Sequence, residues 1–323
     1  MNETKITEAA ELVAYMMTVI RKLKEDKKHP AVHTYTSTMN SVITFSTEKV
    51  FKMTFEEMFT KGRLKEYENW LRNNKAKWNT VSTYMRTLKA VHNRLVANKR
   101  MPYEPTLFDD VYTKVESQTK RSLSDEQMQA LLKTDFERLP EEIRCALAYF
   151  LLMFLFRGMP FIDLASLRKQ DVKGNTISYS RHKTKRHITL RIPKEAIELF
   201  ETFRNKHPDS DYLFPILNKD IEDEKKQYEN YLDALRKFNR LLKKMAELLL
   251  PDVKLSSYTP RHTWATLAFH AGIPIGIISK ALGHSSIKVT ETYLKPFENE
   301  RVDAVNDELI LSLMNNTKEN IAS

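Results

Sequence analysis

The sequence predicts a mainly helical protein of two domains, the second of which carries one small antiparallel sheet. Only 6 of the 323 residues are glycine, and long stretches consist of residues that favour helices. A polar, proline-containing break separates two regions with clear apolar patterns. In the second region, two short segments of β-type composition flank a basic turn. These three observations decide the fold class.

The first hundred residues predict a bundle of four helices, at about 9–28, 34–48, 63–73 and 79–99. Pro30 is expected to end the first of them. In the fourth helix, apolar residues recur at spacings of three and four and predict a buried stripe of Val81, Tyr84, Leu88, Val91 and Leu95. Another face carries Arg86, Lys89 and Asn93, which is typical either of a DNA-binding surface or of an ordinary solvated helix. We expect a DNA-binding domain over 1–105.

A linker is predicted over 106–121, where Pro102 and Pro105 precede the polar run VESQTKR. The second domain, 122–323, begins with a capping box, because Ser124 is followed three residues later by Gln127. Its last part, 297–323, follows Pro296 and predicts a tail helix. An apolar stripe on that helix comprises Val302, Val305, Leu309, Ile310 and Leu313.

Inside the second domain, the run Cys145–Phe156 is strongly apolar but well short of the roughly 20 residues that a membrane span needs. It predicts a buried core helix. The segments Asn175–Tyr179 and His187–Pro193 predict a hairpin around the basic turn HKTKR. Beyond a loop near 220–226, the helix predicted over 227–250 carries a basic face that includes Arg236 and Arg240 and could follow DNA phosphates.

Charge and cysteine usage narrow the class of protein. The formal net charge of +10 and the pI of about 9.3 favour a polyanionic partner, and nucleic acid is the first to consider. The single cysteine, Cys145, excludes an internal disulfide and indicates a reducing compartment, so we expect a cytoplasmic protein with no membrane partner. No metal is predicted, because Pro30 makes a continuous helix through His29 and His33 improbable and no third ligand completes a site. No glycine-rich phosphate loop is present, and no cofactor is expected.

The most specific motifs begin at Tyr258, with the sequence YTPRHTWATLAFHAGIPIGIISKALGHSSIKVTETYL. Arg261 is followed by His-Thr, His284 comes 23 residues after Arg261 within Leu-Gly-His-Ser, and Tyr293 comes nine residues after His284. In order and spacing these blocks resemble the catalytic domain of the tyrosine recombinases, the family of phage integrases and Xer proteins. The segment RGMPFIDLASL and the hairpin pattern Y-x-R-x-K-T look most like integrases of mobile elements in the Bacteroidetes group.

The resemblance implies a helical SAM-like core-binding domain, a mainly helical catalytic domain with a small sheet, and roles for individual residues. Tyr293 would attack a DNA phosphate and form a 3′-phosphotyrosine. Arg261 would bind the phosphate through its bidentate guanidinium. His284 would either hydrogen-bond the phosphate or assist removal of the proton from Tyr293. Lys183, in the hairpin turn, would protonate the leaving 5′ oxygen.

Two positions depart from the family pattern. Tyr258 stands where the family usually has a histidine; its phenol can donate a hydrogen bond to phosphate but cannot be a cation. Pro160 stands where the family has its first arginine. Arg157 and Arg181 are the candidates to replace that arginine. Arg181 is favoured because residues two apart on a strand share a face, which would direct Arg181 and Lys183 to the same phosphate.

The sequence therefore predicts a site-specific DNA recombinase, an integrase or invertase, that encircles double-stranded DNA. The resemblance implies a homotetramer on two DNA sites, with a monomer expected free in solution. Two alternatives stay open. A catalytically impaired relative would only bind DNA, and an enzyme similar to type IB topoisomerases would relax DNA with the same chemistry but without a partner site.

Overall fold

The chain folds into two compact units, which a computed structural model describes at residues 11–114, 122–218, 221, 223–294, 296, 299, 302–308 and 310–311. One unit covers Met1–Gln118 together with Asp223–Tyr228, and the other covers Thr119–Glu222 together with Glu229–Ser323. Within the described ranges, no helix is both long enough and apolar enough to cross a membrane.

The first unit is a bundle of helices. They are α1 (Glu11–Glu25), α2 (His29–Lys49), α3 (Phe55–Met58), α4 (Lys61–Asn73) and α5 (Trp78–Ala97). Their apolar faces meet in one core around the buried Phe45, Tyr67 and Leu88. The four predicted helices are present, and the single-turn α3, which is capped by Thr54, was not predicted from the sequence.

Two details of this unit differ from the expectation. Pro30 lies in the first turn of α2 rather than ending a helix, so His29 and His33 share one helix. A first-turn residue has no helical partner for its N–H, which is why proline is tolerated there. Leu107, Phe108 and Val111, assigned above to the linker, are buried in the core of the unit. Residues 115–121 of that linker lie outside the described residues.

The face of α5 opposite the core is polar. Arg86, Lys89 and Asn93 are all exposed on it, whereas Val81, Leu88 and Val91 are buried. The Lys89 ammonium lies 5.7 Å from the centroid of the Phe108 ring. The predicted separation of an apolar and a polar stripe on this helix is therefore present.

The second unit is mainly helical around a small sheet. Its helices are α6 (Asp125–Leu132), α7 (Glu141–Leu155), α8 (Phe161–Ser166), α9 (Lys194–Phe203), α10 (Glu224–Leu249, assigned to this unit from Glu229), α11 (Thr259–His270), α12 (Ile275–Leu282) and α13 (Ile287–Glu291). Ser124 and Gln127 form the predicted capping box at the start of α6. The apolar run becomes α7, most of which is buried. Residues 302–308 of the tail are helical.

Three antiparallel strands form the sheet in the order β1 (Val172–Lys173), β2 (Thr176–Ser180) and β3 (His187–Arg191). The hairpin of β2 and β3 matches the prediction, with Ser180 opposite His187. One step beyond that pair, the Arg181 N–H donates to the Arg186 carbonyl at 2.8 Å. The turn 182–185 closes with Lys185 in the left-handed region, at φ 56°. Arg181 and Arg186 are thus neighbours across the base of the turn.

The core of the second unit includes the long α10. Phe238 of α10 stacks on Phe161 of α8, with ring centroids 4.3 Å apart. The opposite side of α10 is charged and exposed; there Arg236 pairs with Asp233 at 2.8 Å, and Arg240 faces solvent. The basic surface predicted for this helix is present.

Candidate active site

Arg261 lies at the start of α11 with its guanidinium buried against two carbonyl groups. Its Nη1 donates to the Gly158 carbonyl at 2.7 Å, and its Nη2 donates to the Leu282 carbonyl at 2.6 Å. Burial lowers the pKa of Arg261, and the neighbouring charge of Arg181 acts in the same direction. A guanidinium nevertheless stays charged in proteins. Arg261 is therefore a fixed cation among oriented dipoles.

Gly158, in the turn that follows α7, allows α11 to pack closely against that turn. Its φ is +66°, and a Cβ at this position would lie 3.0 Å from the Arg261 Cα. The preceding residue, Arg157, also has a positive φ of 59° and is half-buried. The chain therefore turns sharply after α7, in two consecutive left-handed residues, and presents the Gly158 carbonyl to Arg261.

Arg181 reaches the same place from the hairpin. Its Nη1 donates to the Leu282 carbonyl at 2.8 Å and to the Gly283 carbonyl at 3.2 Å. Its Nε donates to Asp163 Oδ2 at 3.2 Å in a buried ion pair. Because Arg181 and Arg261 share the Leu282 carbonyl as acceptor, their guanidinium groups lie side by side. Two adjacent cations are stabilised by such acceptors.

The turn from Leu282 to His284 contacts both the β2–β3 hairpin and α11. Gly283 has φ +64°, and a Cβ there would lie 2.8 Å from both Arg181 Cδ and Ile188 Cδ1. Arg186 Nη1 donates to the His284 carbonyl. All three carbonyls of the turn, at the negative end of the α12 dipole, thus accept from arginines.

His284 is buried, and both ring nitrogens are paired. Nε2 lies 2.9 Å from Arg261 Nη2, and Nδ1 lies 3.0 Å from Thr290 Oγ1. Burial lowers the pKa of His284 to about 3, and the charges of Arg261, Arg181 and Lys183 contribute in that order. The imidazole is therefore neutral at physiological pH.

Tyr293 follows α13, and its ring lies between two histidines. The ring centroid is 4.6 Å from that of His262, in a stacked arrangement, and 4.9 Å from that of His284. The Arg261 Cζ lies 5.5 Å from the same centroid. The backbone N–H of Tyr293 donates to the Thr290 carbonyl at 2.9 Å. The Tyr293 ring is thus held beside the Arg261 guanidinium.

Lys183 and Tyr258 stand at the exposed side of this cluster. Lys183 lies in the hairpin turn and is exposed, close enough to His284 for its charge to lower the pKa of that ring. Tyr258 precedes α11 and is 60% exposed. Burial of part of its ring and the neighbouring Tyr293 raise the pKa of Tyr258. Both side chains can therefore meet a ligand that approaches from solvent.

The two candidates for the missing arginine differ in position. Arg181 shares the Leu282 carbonyl with Arg261. Arg157 makes no hydrogen bond or ion pair to the described part of the chain. Pro160 is the N-cap residue immediately before α8, and its carbonyl accepts the first helical hydrogen bonds. The geometry favours Arg181, and the assignment of either residue to catalysis stays a prediction.

Several residues of the cluster were not predicted. Asp163 binds Arg181 and also accepts from the His182 N–H at 2.9 Å. Thr290 binds His284, and His262 stacks on the Tyr293 ring. The spacing of three residues between Pro160 and Asp163 within the family-like segment was the signal available for Asp163. The match of residues 290–293 to the family pattern was the signal available for Thr290.

The chain belongs to the phage integrase family. The pattern of the family matches residues 121–300, and that of the phage integrase SAM-like domain matches residues 11–111. The resemblance to tyrosine recombinases stated above is thereby confirmed.

Among curated relatives, transposase B from transposon Tn554 of Staphylococcus aureus is 27% identical over 208 residues, which cover 61% of this chain and 31% of the transposase. A tyrosine recombinase of Pseudothermotoga lettingae is 27% identical over 183 residues, which cover 54% of this chain and 59% of the relative. The chain thus spans about a third of the first relative's length and less than two thirds of the second's.

Solved structures show the same fold. The Tn1549 transposon integrase in complex with transposon right end DNA has a TM-score of 0.66 at 16% identity, over 92% of this chain and 99% of that one. A λ integrase tetramer bound to a Holliday junction has a TM-score of 0.59 at 13% identity, over 87% of this chain and 76% of that one. The predicted fold class, mainly helical with a small antiparallel sheet in a two-domain integrase architecture, is confirmed.

Proposed function

We propose that the protein is a site-specific DNA recombinase that cleaves and rejoins DNA through a covalent bond to Tyr293. The observation that carries the proposal is the position of the Tyr293 ring beside Arg261, whose guanidinium shares an acceptor with that of Arg181. A nucleophile beside two side-by-side cations suits attack on a phosphodiester, where negative charge accumulates on the nonbridging oxygens.

In the proposed reaction, the Tyr293 oxygen attacks phosphorus and the bond from phosphorus to the 5′ oxygen breaks. The phenol proton passes to solvent water as the bond forms, and Lys183 supplies a proton to the leaving oxygen. The product is a 3′-phosphotyrosine, which conserves the energy of the broken bond. Attack by a different 5′-hydroxyl then completes strand exchange without ATP.

Arg181 takes the place of the arginine absent at Pro160 in this proposal. Arg261 and Arg181 bind the two nonbridging oxygens, and Asp163 and the carbonyls of Leu282 and Gly283 hold the Arg181 guanidinium in position. Tyr258 adds a neutral hydrogen-bond donor at the exposed side. Duplex DNA, the polyanionic partner, contacts the exposed Arg86, Lys89 and Asn93 of α5 and the basic face of α10 that bears Arg236 and Arg240.

A homotetramer on two DNA sites is proposed as the active assembly, with action at the bacterial nucleoid in the cytoplasm. The described part of the tail supports contact with another copy, because Val302, Val305 and Ile310 are 55%, 49% and 46% exposed. Apolar side chains exposed in a row gain free energy when a partner covers them. Leu309 and Leu313 of the predicted stripe lie outside the described residues.

The test is the capture of a covalent adduct. The full chain is incubated with nicked DNA that carries the candidate site, and a denaturing gel then separates free protein from protein bound to DNA. Wild type should form an adduct that protease removes, and Tyr293→Phe should form none while its DNA affinity stays nearly unchanged.

Tyr258→Phe is the matched control, since it removes the same oxygen from the other tyrosine of the site. It should slow adduct formation by about tenfold or less, the effect of one hydrogen bond, without abolishing it. Sequence-specific binding with no adduct in wild type would point instead to a catalytically impaired DNA-binding relative. Relaxation of supercoiled DNA without sequence preference would point to an enzyme similar to type IB topoisomerases.

A further inference from the structure

Asn239 of α10 joins that helix to the segment that precedes α11. Its Oδ1 accepts the Ser257 N–H at 2.9 Å, and its Nδ2 donates to the Leu235 carbonyl at 2.9 Å. A backbone N–H can only donate and a backbone carbonyl can only accept, so these two partners fix which end of the carboxamide faces Ser257. Ser257 is 7% exposed, and a buried N–H without an acceptor is costly. Asn239 supplies the acceptor that this peptide group needs.

Ser257 directly precedes Tyr258, whose phenol is not held by hydrogen bonds of its own. Tyr258 is 60% exposed, and its hydroxyl has no hydrogen-bond partner in the part of the chain that the structure describes. The position of the phenol therefore depends on the backbone around it. On the α11 side, the Tyr258 carbonyl accepts the His262 N–H at 3.1 Å. On the other side, the backbone is held by the bond from Ser257 to Asn239.

We infer that Asn239 is a positioning residue for Tyr258: by holding the peptide group of Ser257, its carboxamide sets where the phenol stands at the exposed side of the active site. The same helix carries the exposed Arg236 and Arg240, which the proposed function assigns to DNA phosphates. One helix thus contacts the DNA backbone and also places a hydrogen-bond donor for the scissile phosphate. The role of Tyr258 toward phosphate rests on the proposed function; the contact between Asn239 and Ser257 does not.

Helix formation by α10 does not explain an asparagine at position 239. Asparagine is a weaker helix former than alanine, leucine or lysine, because its side chain competes for backbone hydrogen bonds. A second asparagine of α10, Asn230, is also half-buried, and its side chain makes no hydrogen bond to the described part of the chain. The two asparagines therefore differ in the contact to Ser257, which makes Asn230 the matched control.

The first measurement needs no DNA. Amide hydrogen exchange of the full chain is followed in a ¹⁵N–¹H spectrum, with Ser257→Ala identifying the Ser257 signal. The Ser257 N–H should exchange about tenfold faster in Asn239→Ala than in wild type, the effect of one hydrogen bond. Asn239→Asp, which keeps the acceptor oxygen, and Asn230→Ala should both exchange at close to the wild-type rate. An unchanged Ser257 rate in Asn239→Ala would overturn the inference.

The second measurement reports on the phenol itself. The full chain is labelled with fluorotyrosine, and Tyr258→Phe identifies the ¹⁹F signal of Tyr258. This signal should shift or broaden in Asn239→Ala, because release of the preceding peptide group changes the surroundings of the ring. It should stay unchanged in Asn239→Asp and in Asn230→Ala. A wild-type signal in Asn239→Ala would show that Tyr258 is placed without Asn239.

The third measurement is the rate of adduct formation on nicked DNA at saturating protein, with DNA affinity measured separately. Asn239→Ala should be slower by about tenfold, the effect of one hydrogen bond, at nearly unchanged affinity. In a Tyr258→Phe background the same substitution should slow the reaction by about twofold or less, because the hydroxyl that Asn239 positions is already absent. Equal factors in both backgrounds would show a purely structural loss and contradict the inference. If wild type forms no adduct, the proposed function fails, and the exchange and ¹⁹F measurements still decide what places Tyr258.

Discussion

Asp163 and Arg181 form a buried ion pair that joins α8 to the β2–β3 hairpin, with Arg181 Nε 3.2 Å from Asp163 Oδ2. The second carboxylate oxygen accepts the His182 N–H. Asp163 therefore holds both the guanidinium and the start of the hairpin turn. Removing either partner of such a pair leaves an uncompensated charge in the interior.

Because Asp163 holds Arg181 in place beside Arg261, we expect Arg181 rather than Arg157 to bind phosphate. Arg181→Ala should lower the rate of adduct formation about 10²–10³-fold, the usual effect of losing one donor to a developing oxyanion. Arg157→Ala should change the rate much less, because Arg157 does not share an acceptor with Arg261. Single-turnover cleavage of nicked DNA at matched occupancy measures both. A near wild-type rate for the Arg181 variant together with a dead Arg157 variant would reverse the assignment.

The hairpin lysine should be needed only when the leaving group is basic. Lys183→Ala should cleave ordinary DNA slowly but regain most of its rate on DNA with sulfur in place of the scissile 5′ oxygen. A thiol, with a pKa of about 8.5, leaves without a proton. Arg186→Gln should show the same rescue to a smaller degree, because Arg186 ties the hairpin to the His284 carbonyl.

Lys185→Ala is the control for this experiment, being a turn lysine next to the same site. It should cleave both substrates at rates close to wild type. Rescue of Arg181→Ala by sulfur would contradict the separate roles of Arg181 and Lys183.

Glycine should be required at position 283 because a side chain there would clash with the hairpin, and not only because its φ is positive. In Gly283→Ala the new Cβ would meet Arg181 and Ile188 at 2.8 Å and displace the hairpin. Gly174→Ala is the matched control: its φ of +56° is just as unsuited to alanine, but nothing lies within 4 Å of the added Cβ. Thermal melts should show a loss of about 1 kcal/mol for the control. Adduct formation should fall only in Gly283→Ala, and equal activity of the two variants would refute the argument.

The neutral His284 predicts a pH dependence of stability. Its pKa in the folded chain is about 3, below the ordinary value of 6.5. The unfolded chain therefore gains a proton first as the pH falls, and stability is lost between these two values. Between pH 6.5 and about 4.5, wild type should lose about 2 kcal/mol more unfolding free energy than His284→Gln. Identical pH slopes in urea titrations would show that His284 is not buried as a neutral ring.

The tail should matter for assembly more than for binding. Deleting residues 297–323 removes the exposed Val302, Val305 and Ile310. Native gels with one and with two DNA sites should show nearly unchanged binding to the single site and a weaker complex on the pair. If the deletion weakens binding to the single site as much as it weakens the complex on two sites, the tail acts within its own protomer.

Local signals in the sequence were sufficient for much of the fold. The apolar run predicted α7, Ser124 and Gln127 predicted the cap of α6, and two segments of β-type composition around a basic turn predicted the hairpin. These features depend on residues close together in the chain, whose propensities and hydrogen bonds are local. The family was also recognisable, because the spacing of Arg261, His284 and Tyr293 is a pattern along the chain.

Contacts between distant segments could not be predicted. Nothing in the order of residues indicates that Asp163 pairs with Arg181, or that the carbonyl of Leu282 accepts from two guanidinium groups. Gly158 and Gly283 are needed because of what packs against them, which only the folded chain shows. The burial of Leu107, Phe108 and Val111 in the first unit was missed for the same reason, since two prolines nearby favoured a linker.

In the proposed reaction, the position of Arg181 on the hairpin gives one structural element two tasks, phosphate binding and proton supply. If the missing arginine stood at Pro160, phosphate binding would belong to the helical framework and would survive any movement of the hairpin. Here the same turn carries Arg181 and Lys183, so a shift of the hairpin away from Gly283 would withdraw charge stabilisation and proton supply together. In the proposed reaction, a protomer whose hairpin is displaced could not begin cleavage, because it would lack the guanidinium and the proton donor at the same time.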